Sequence, residues 1–255
     1  MLSDENSLQR TVCWEEYMTE NHEFVVEYSY LYTAKYTDTT FFTETTTDIY
    51  DSEYTKEEYP HIAFTPYIKN LAQKITEGIN DPIEKARAIY DYITLNVKYT
   101  FMPSYFSLEN IPENCAKSLA GDCGVLALLF ITLCRCVGIP ARWQSGLAAE
   151  PDFCGCHDWA RFYVAPYGWL YADVSYGVAA VRLNNEDRRK FYFGNTDSYR
   201  MVANNAFQAD FEVNKTHWRC DPYDNQTGEI ETTERGLCFD EYIRKKEVIL
   251  CEEIQ

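Results

Sequence analysis

Three side chains with the equipment for nucleophilic catalysis stand out: Cys123, His157 and Asp173. Cys123 lies in Gly121-Asp122-Cys123-Gly124, ahead of an apolar run from Val125 to Val137. That run reads as a buried helix, ended by Gly138 and Pro140. A thiol at a helix N-terminus meets unpaired N–H groups and the positive end of the helix dipole, which favour the nucleophilic thiolate. Glycines at 121 and 124 would give a substrate carbonyl room, and the first-turn N–H groups could donate to an oxyanion. His157, one of four histidines, shares a strand face with Trp159, Arg161 and Tyr163. Asp173 follows on the parity of Trp169 and Tyr171, after a turn at Pro166-Tyr167-Gly168. A Cys to attack, a His to take its proton and an Asp to orient the imidazole are the parts of acyl transfer. A turn centred near Pro166-Tyr167 leaves His157 and Asp173 about three residues out of register, roughly 10 Å, so a bulge or wider loop is expected.

The elements that must position these groups follow from local signals. Thr65-Pro66 reads as an N-cap and first-turn proline, with Ile68, Leu71, Ala72 and Ile75 at helical spacing before Gly78. Asp81-Pro82 opens a second helix with the stripe Ile83, Ala86, Tyr90, Ile93 and Val97. Residues 100–120 read as a loop containing Pro and Ser. After the buried helix, Ala141 to Gly146, His157 to Val164 and Trp169 to Val174 read as strands. Upstream, Val26 to Tyr32 alternates like a half-buried strand, and Thr39 to Tyr50 reads as a second. Residues 1–60 are thus expected to be a small β-rich extension. Beyond Gly177 the pattern weakens, with a polar stretch Asn184 to Lys190 and a final helix or strand near Phe239 to Leu250. The fold class is α+β: helices followed by an antiparallel sheet.

In this setting the sequence resembles the transglutaminase-like superfamily. Gly121-Asp122-Cys123-Gly124, Leu129-Phe130, Cys134-Arg135 and Gly138-Ile139-Pro140-Ala141-Arg142 are similar to its nucleophile helix and the strand after it. His157-Asp158-Trp159-Ala160 and Gly168-Trp169-Leu170-Tyr171-Ala172-Asp173 follow in the family's order. The likeness covers about residues 65–177. It implies a papain-like catalytic domain over 61–255, with 178–255 completing the sheet and cleft. It implies Cys123 as nucleophile, His157 as general base and Asp173 as orienting acid. The family also places an oxyanion side chain upstream of the nucleophile, for which Tyr99 and Tyr105 are the candidates; Trp159 and Trp169 are cleft candidates. The implied activity is attack on a peptide or side-chain amide through a thioester, with hydrolysis favoured. Amine transfer and a non-catalytic binding module are the alternatives. The implied partner is a protein or peptide substrate, and no cofactor is called for. No acidic run at calcium-loop spacing is evident, so calcium dependence is not carried over.

Composition sets the outer limits. The 255 residues carry 40 acidic and 23 basic side chains, a net charge of −17, which would repel nucleic-acid phosphates. The acidic balance is a weak hint of basic protein segments as substrates. With 46% hydrophobic and 16% aromatic residues the chain can build a core. The longest apolar run is about half of the ~20 residues a membrane span needs. Met1-Leu2-Ser3-Asp4-Glu5-Asn6 has neither a basic region nor an apolar one, so a cytoplasmic, reducing setting is expected. There most of the ten cysteines read as packing residues. Cys134 and Cys136 are expected to be structural, and Cys154 and Cys156 to be loop thiols near His157. A four-thiolate zinc site from these two pairs is the competing reading, although the usual spacing is wider; no metal is expected.

Overall fold

The computed structural model describes residues 1–255 apart from 21, 40–51, 214, 221–222, 224–225 and 255. Two capped helices come first. The Thr65 side chain accepts from the Ile68 amide and opens α1 (Pro66–Ile75). Asp81 does the same for Ile83 at the start of α2 (Pro82–Asn96). The stripe Ile83, Ala86, Tyr90, Ile93 and Val97 is buried throughout. A short strand β1 (Lys98–Tyr99) then runs parallel to β2 (Ala120–Gly121).

Between them the expected loop contains a helix, α3 (Ile111–Ser118). Asn110 caps it by accepting from the Glu113 amide, so Asn-x-x-Glu was the local start signal. Its eight residues, with Pro112 in the first turn, are too few to show a clear helical period.

The central element is α4 (Cys123–Cys136), buried at every position from Gly124 to Arg135. Helices α1, α2 and α3 pack on it from one side. The sheet packs on the other, with Phe130 of α4 edge-to-face on Phe162 at 5.6 Å. The sheet is β3 (Ala141–Glu150), β4 (Phe153–Val164), β5 (Gly168–Ala172), β6 (Phe193–Gly194) and β7 (Arg200–Asn204), in the order β6-β5-β4-β3-β7 and antiparallel. Between β5 and β6 lie α5 (Val174–Arg182) and α6 (Glu186–Phe191), the latter within the polar stretch noted above.

Two expectations are corrected. Val26 to Tyr32 forms no strand: it is mostly exposed, and a strand needs a partner ladder as well as β-propensity. Around it the chain is tied by isolated bridges, Leu2 to Val12, Gln9 to Asn204 and Lys35 to Thr196. Phe239 to Leu250 forms neither helix nor strand. Ile243, Ile249 and Leu250 are exposed, so the segment has no apolar face to fold against a neighbour. The expected strand Thr39 to Tyr50 lies, but for Thr39, outside the described residues. Among the described residues no helix is long and apolar enough to cross a membrane.

Candidate active site

Cys123 begins α4 beside its cap. The Asp122 carboxylate accepts from the Val125 amide at 3.1 Å and from the Tyr105 hydroxyl at 2.5 Å. The Cys123 thiol donates to Asp158 Oδ2 at 3.1 Å. The space that a side chain at 124 would need is already taken. A Cβ there would lie 2.3 Å from the Tyr105 hydroxyl and 2.8 Å from Asp158 Oδ2. Gly124 therefore admits these two groups rather than leaving room for a substrate carbonyl. The thiol is not acidified as expected. Burial, then the Asp158 and Asp122 charges, push it well above the ordinary thiol range. The helix N-terminus, worth about 0.3–1 kcal/mol, is outweighed by lost hydration and two adjacent carboxylates.

Both upstream tyrosines reach the sulfur's surroundings. The β1–β2 pairing sets Tyr99 beside Gly121, with its hydroxyl near the Cys123 thiol. Burial and the nearby thiol and carboxylates raise the Tyr99 hydroxyl above its usual range. Tyr105 sits between Asp122 and Asp158, with its proton committed to Asp122.

His157 and Asp173 form the second half of the site. The β4–β5 ladder pairs Ala160 with Ala172, so Asp173 arrives opposite Trp159, two residues from His157 rather than three. Such diagonal neighbours on one face are within reach, and no bulge is needed. His157 Nε2 lies 2.7 Å from Asp173 Oδ2. A carboxylate only accepts, so Nε2 carries a hydrogen, and in the neutral ring Nδ1 holds the lone pair. Asp173 is also the cap of α5: its Oδ1 accepts from the Tyr176 amide at 3.0 Å and the Ser175 hydroxyl at 3.1 Å. Arg200, buried on β7, donates to Oδ2 at 2.9 Å. Burial alone would raise the Asp173 pKa, but His157 and then Arg200 hold it well below the usual carboxylate range. Trp159 and Tyr176 flank the imidazole at 5.8 and 4.7 Å between ring centres.

The two halves meet at neighbouring positions of β4. Asp158 reaches Cys123 of α4, while His157 packs beside Trp159 and Tyr176. No hydrogen bond joins Cys123 to the His157 ring: the thiol is held by Asp158. Gln226 covers this junction, donating to the His157 carbonyl at 3.0 Å and to Asp158 Oδ1 at 2.5 Å. Asp158, Arg200 and Gln226 went unrecognised in the sequence. Asp158 had one signal, its place beside His157 on the opposite parity; the other two had none.

The cleft candidates are placed differently from expectation. Trp159 is buried, with its ring N–H on Gln144 Oε1 at 2.7 Å, so it packs beside His157 rather than lining an opening. Trp169 stands at the far end of β5, about 13 Å along the strand from Asp173. There Arg142 lies over its ring at 4.5 Å and Tyr54 meets it edge-to-face at 5.4 Å. Cys154 and Cys156 are strand residues, not loop thiols. Cys156 lies near Asp158, by the start of α4, whereas Cys134 and Cys136 sit at its other end, roughly 17–20 Å along the axis. That distance excludes a four-thiolate site. None of the ten cysteines forms a disulfide, and among the described residues no group of three or more ligating side chains could hold a metal ion.

Residues 69–174, from α1 to the first residue of α5, match the transglutaminase-like superfamily. The chain contains a transglutaminase-like core. Cys123, His157 and Asp173 all fall inside it. An uncharacterized protein of Haemophilus influenzae is 26% identical over 195 residues, covering 60% of this chain and 50% of its own length. The uncharacterized protein YebA of Bacillus subtilis is 22% identical over 129 residues, covering 43% of this chain and 17% of its own length. The transglutaminase-like core thus sits in a chain that spans half or less of these relatives. A solved structure from Cytophaga hutchinsonii, provisionally described as a cysteine protease, is 25% identical. It aligns with a TM-score of 0.43 over 49% of this chain and 43% of its own.

Proposed function

We propose that the transglutaminase-like core is a cysteine-nucleophile acyl-transfer enzyme acting on peptide or side-chain amide bonds, with hydrolysis as its main outcome. The observation that carries this reading is the buried His157–Asp173 pair, which leaves the Nδ1 lone pair of His157 free to accept a proton. On substrate entry the Cys123 thiol leaves Asp158 and gives its proton to His157. The thiolate attacks the carbonyl carbon. Negative charge on the carbonyl oxygen is met by amides of the first turn of α4 and by the Tyr99 hydroxyl. The imidazolium then protonates the departing amine, which leaves a thioester on Cys123. Water, deprotonated by His157, releases the acid; an amine in its place would give transfer. The substrate is read as a protein or peptide. A binding module that keeps the fold is the second reading, favoured by the hydrogen bond that holds the thiol protonated on Asp158.

An activated ester separates the two. With p-nitrophenyl acetate the enzyme reading expects a burst of one equivalent of nitrophenolate, an acetyl group mapped to Cys123, and loss of the burst in Cys123→Ser. His157→Ala should slow acylation by a factor on the order of 10² or more, the usual share of a general base. Acetylation of Cys123 no faster than of the other nine thiols, and indifferent to His157→Ala, would leave the binding module. Added amine that speeds acetyl release more than water does would move the assignment to amine transfer.

A further inference from the structure

We propose that Arg200 is a positioning residue for His157, a buried cation that keeps Asp173 ionised and thereby keeps the imidazole in the form that can accept a proton at Nδ1. The proposal rests on the reading of Cys123 and His157 given above. Its geometry is specific. Arg200 reaches Asp173 Oδ2, the same oxygen that His157 Nε2 meets. The guanidinium also lies 4.5 Å from the Tyr176 ring centre and 5.8 Å from that of Trp159, the two rings that flank the imidazole. Asp173, Trp159 and Tyr176, which contact His157, thus also contact Arg200. Its remaining side-chain partner is Asp197, at 3.1 Å.

The chemistry turns on one proton. Asp173 is buried, and burial favours its neutral form. A neutral Asp173 would donate its O–H to Nε2. The ring hydrogen would then have to sit on Nδ1, and no lone pair would remain there for the thiol proton. With Arg200 in place, Asp173 stays a carboxylate and accepts from Nε2–H, and Nδ1 stays basic. Other titratable groups around this cluster are Tyr176, whose hydroxyl is turned to Glu150 at 3.1 Å, and Tyr192, whose hydroxyl is turned to Asp197 at 2.9 Å. Among the cations, Arg188 lies over the Tyr176 ring rather than at Asp173. Arg200 is therefore the cation that reaches the Asp173 carboxylate.

The test uses the full chain, labelled with nitrogen-15 at histidine, as wild type, Arg200→Met and Arg200→Lys. Nitrogen chemical shifts report the His157 tautomer directly, whether or not the protein acylates. Wild type is expected to show Nε2–H. Arg200→Met, if folded by circular dichroism, is expected to shift toward Nδ1–H and to acylate Cys123 about a hundredfold more slowly. Arg200→Lys keeps the charge and is expected to keep Nε2–H and most of the rate. A folded Arg200→Met with an unchanged tautomer overturns the proposal. If that variant does not fold, Arg200→Lys decides: an Nδ1–H ring with the charge retained overturns it as well. A wild type with Nε2–H but no burst at Cys123 refutes the acyl-transfer reading and leaves the Arg200 result standing.

Discussion

The thiol of Cys123 sits where two electrostatic influences oppose each other, and their sizes decide its state. The α4 terminus favours a thiolate by less than about 1 kcal/mol. A carboxylate in contact opposes it by more, since close like charges in a protein interact by up to about 4 kcal/mol at moderate dielectric. Asp158→Asn should therefore lower the Cys123 pKa and move its alkylation profile to lower pH. Each unit of that move is about tenfold in thiolate at neutral pH. Iodoacetamide labelling mapped by mass spectrometry between pH 6 and 9 measures it; superimposable profiles would show that Asp158 does not hold the thiol. Asp173 acts in the opposite sense. Its folded pKa is depressed, so its contribution to stability is complete above the unfolded value of about 3.9 and is lost as pH falls through the folded one. Asp173→Asn should accordingly cost stability at pH 7, and the gap from wild type in urea melts should narrow once the pH drops below about 4. A gap that is constant from pH 7 to pH 3 would count against an ionised Asp173. Cys123, His157 and Asp173 were legible because rare residue types stood in ordered motifs. Arg200 was not, because nothing near position 200 says that its strand returns beside β3 to face Asp173.

At the scale of elements, legibility tracked how local the cause was. Helices α1 and α2 begin where a capping side chain and a proline lie side by side, and the structure begins them there. The β4–β5 turn was placed correctly, but the pairing of Val164 with Gly168 makes it tight enough to bring Asp173 one residue closer to His157 than expected. Helix α3 was hidden by its shortness. Val26 to Tyr32 was misread because propensity cannot supply a partner strand. The direction of the Cys123 shift was misread for a related reason: the dipole belongs to α4 alone, whereas Asp158 comes from β4 and Tyr105 from the loop before α3. Gly124 is the point where these three elements converge. Gly124→Ala would force the Tyr105 hydroxyl or the Asp158 carboxylate to move, since both lie nearer than real Cβ contacts allow. A cost of about 1–3 kcal/mol is expected, as for other overpacked sites. Elsewhere in a helix the same change would stabilise by roughly 1 kcal/mol. Chemical denaturation reads the sign, and a more stable Gly124→Ala would refute the close packing.

Across the whole molecule, the segments before and after the transglutaminase-like core bond to each other, and the later one reaches the site. Asp4 bonds Glu212 through its amide at 2.9 Å, Lys35 bridges to Thr196, and Gln226 reaches the carbonyl of His157 and the carboxylate of Asp158. Gln226 donates with one nitrogen to both halves of the site. It thereby fixes Asp158 in the position from which that carboxylate holds the Cys123 thiol. The reaction proposed here needs that hold to break, so the contact from Gln226 should slow the thiol's chemistry in the resting state. Gln226→Ala leaves the core packing of α4 and the sheet intact. Its effect on stability should stay within the ~0.5–1.5 kcal/mol of a typical hydrogen bond. Its effect on Cys123 should be larger in kind: faster alkylation and faster acylation by an activated ester, with the profile shifted in the same direction as for Asp158→Asn. Because the two residues act through one contact, the double variant should gain little over Asp158→Asn alone. Additive gains in the double variant would mean that Gln226 acts on access to the thiol independently of Asp158. Unchanged rates in Gln226→Ala would mean that this segment rests on the site without restraining it.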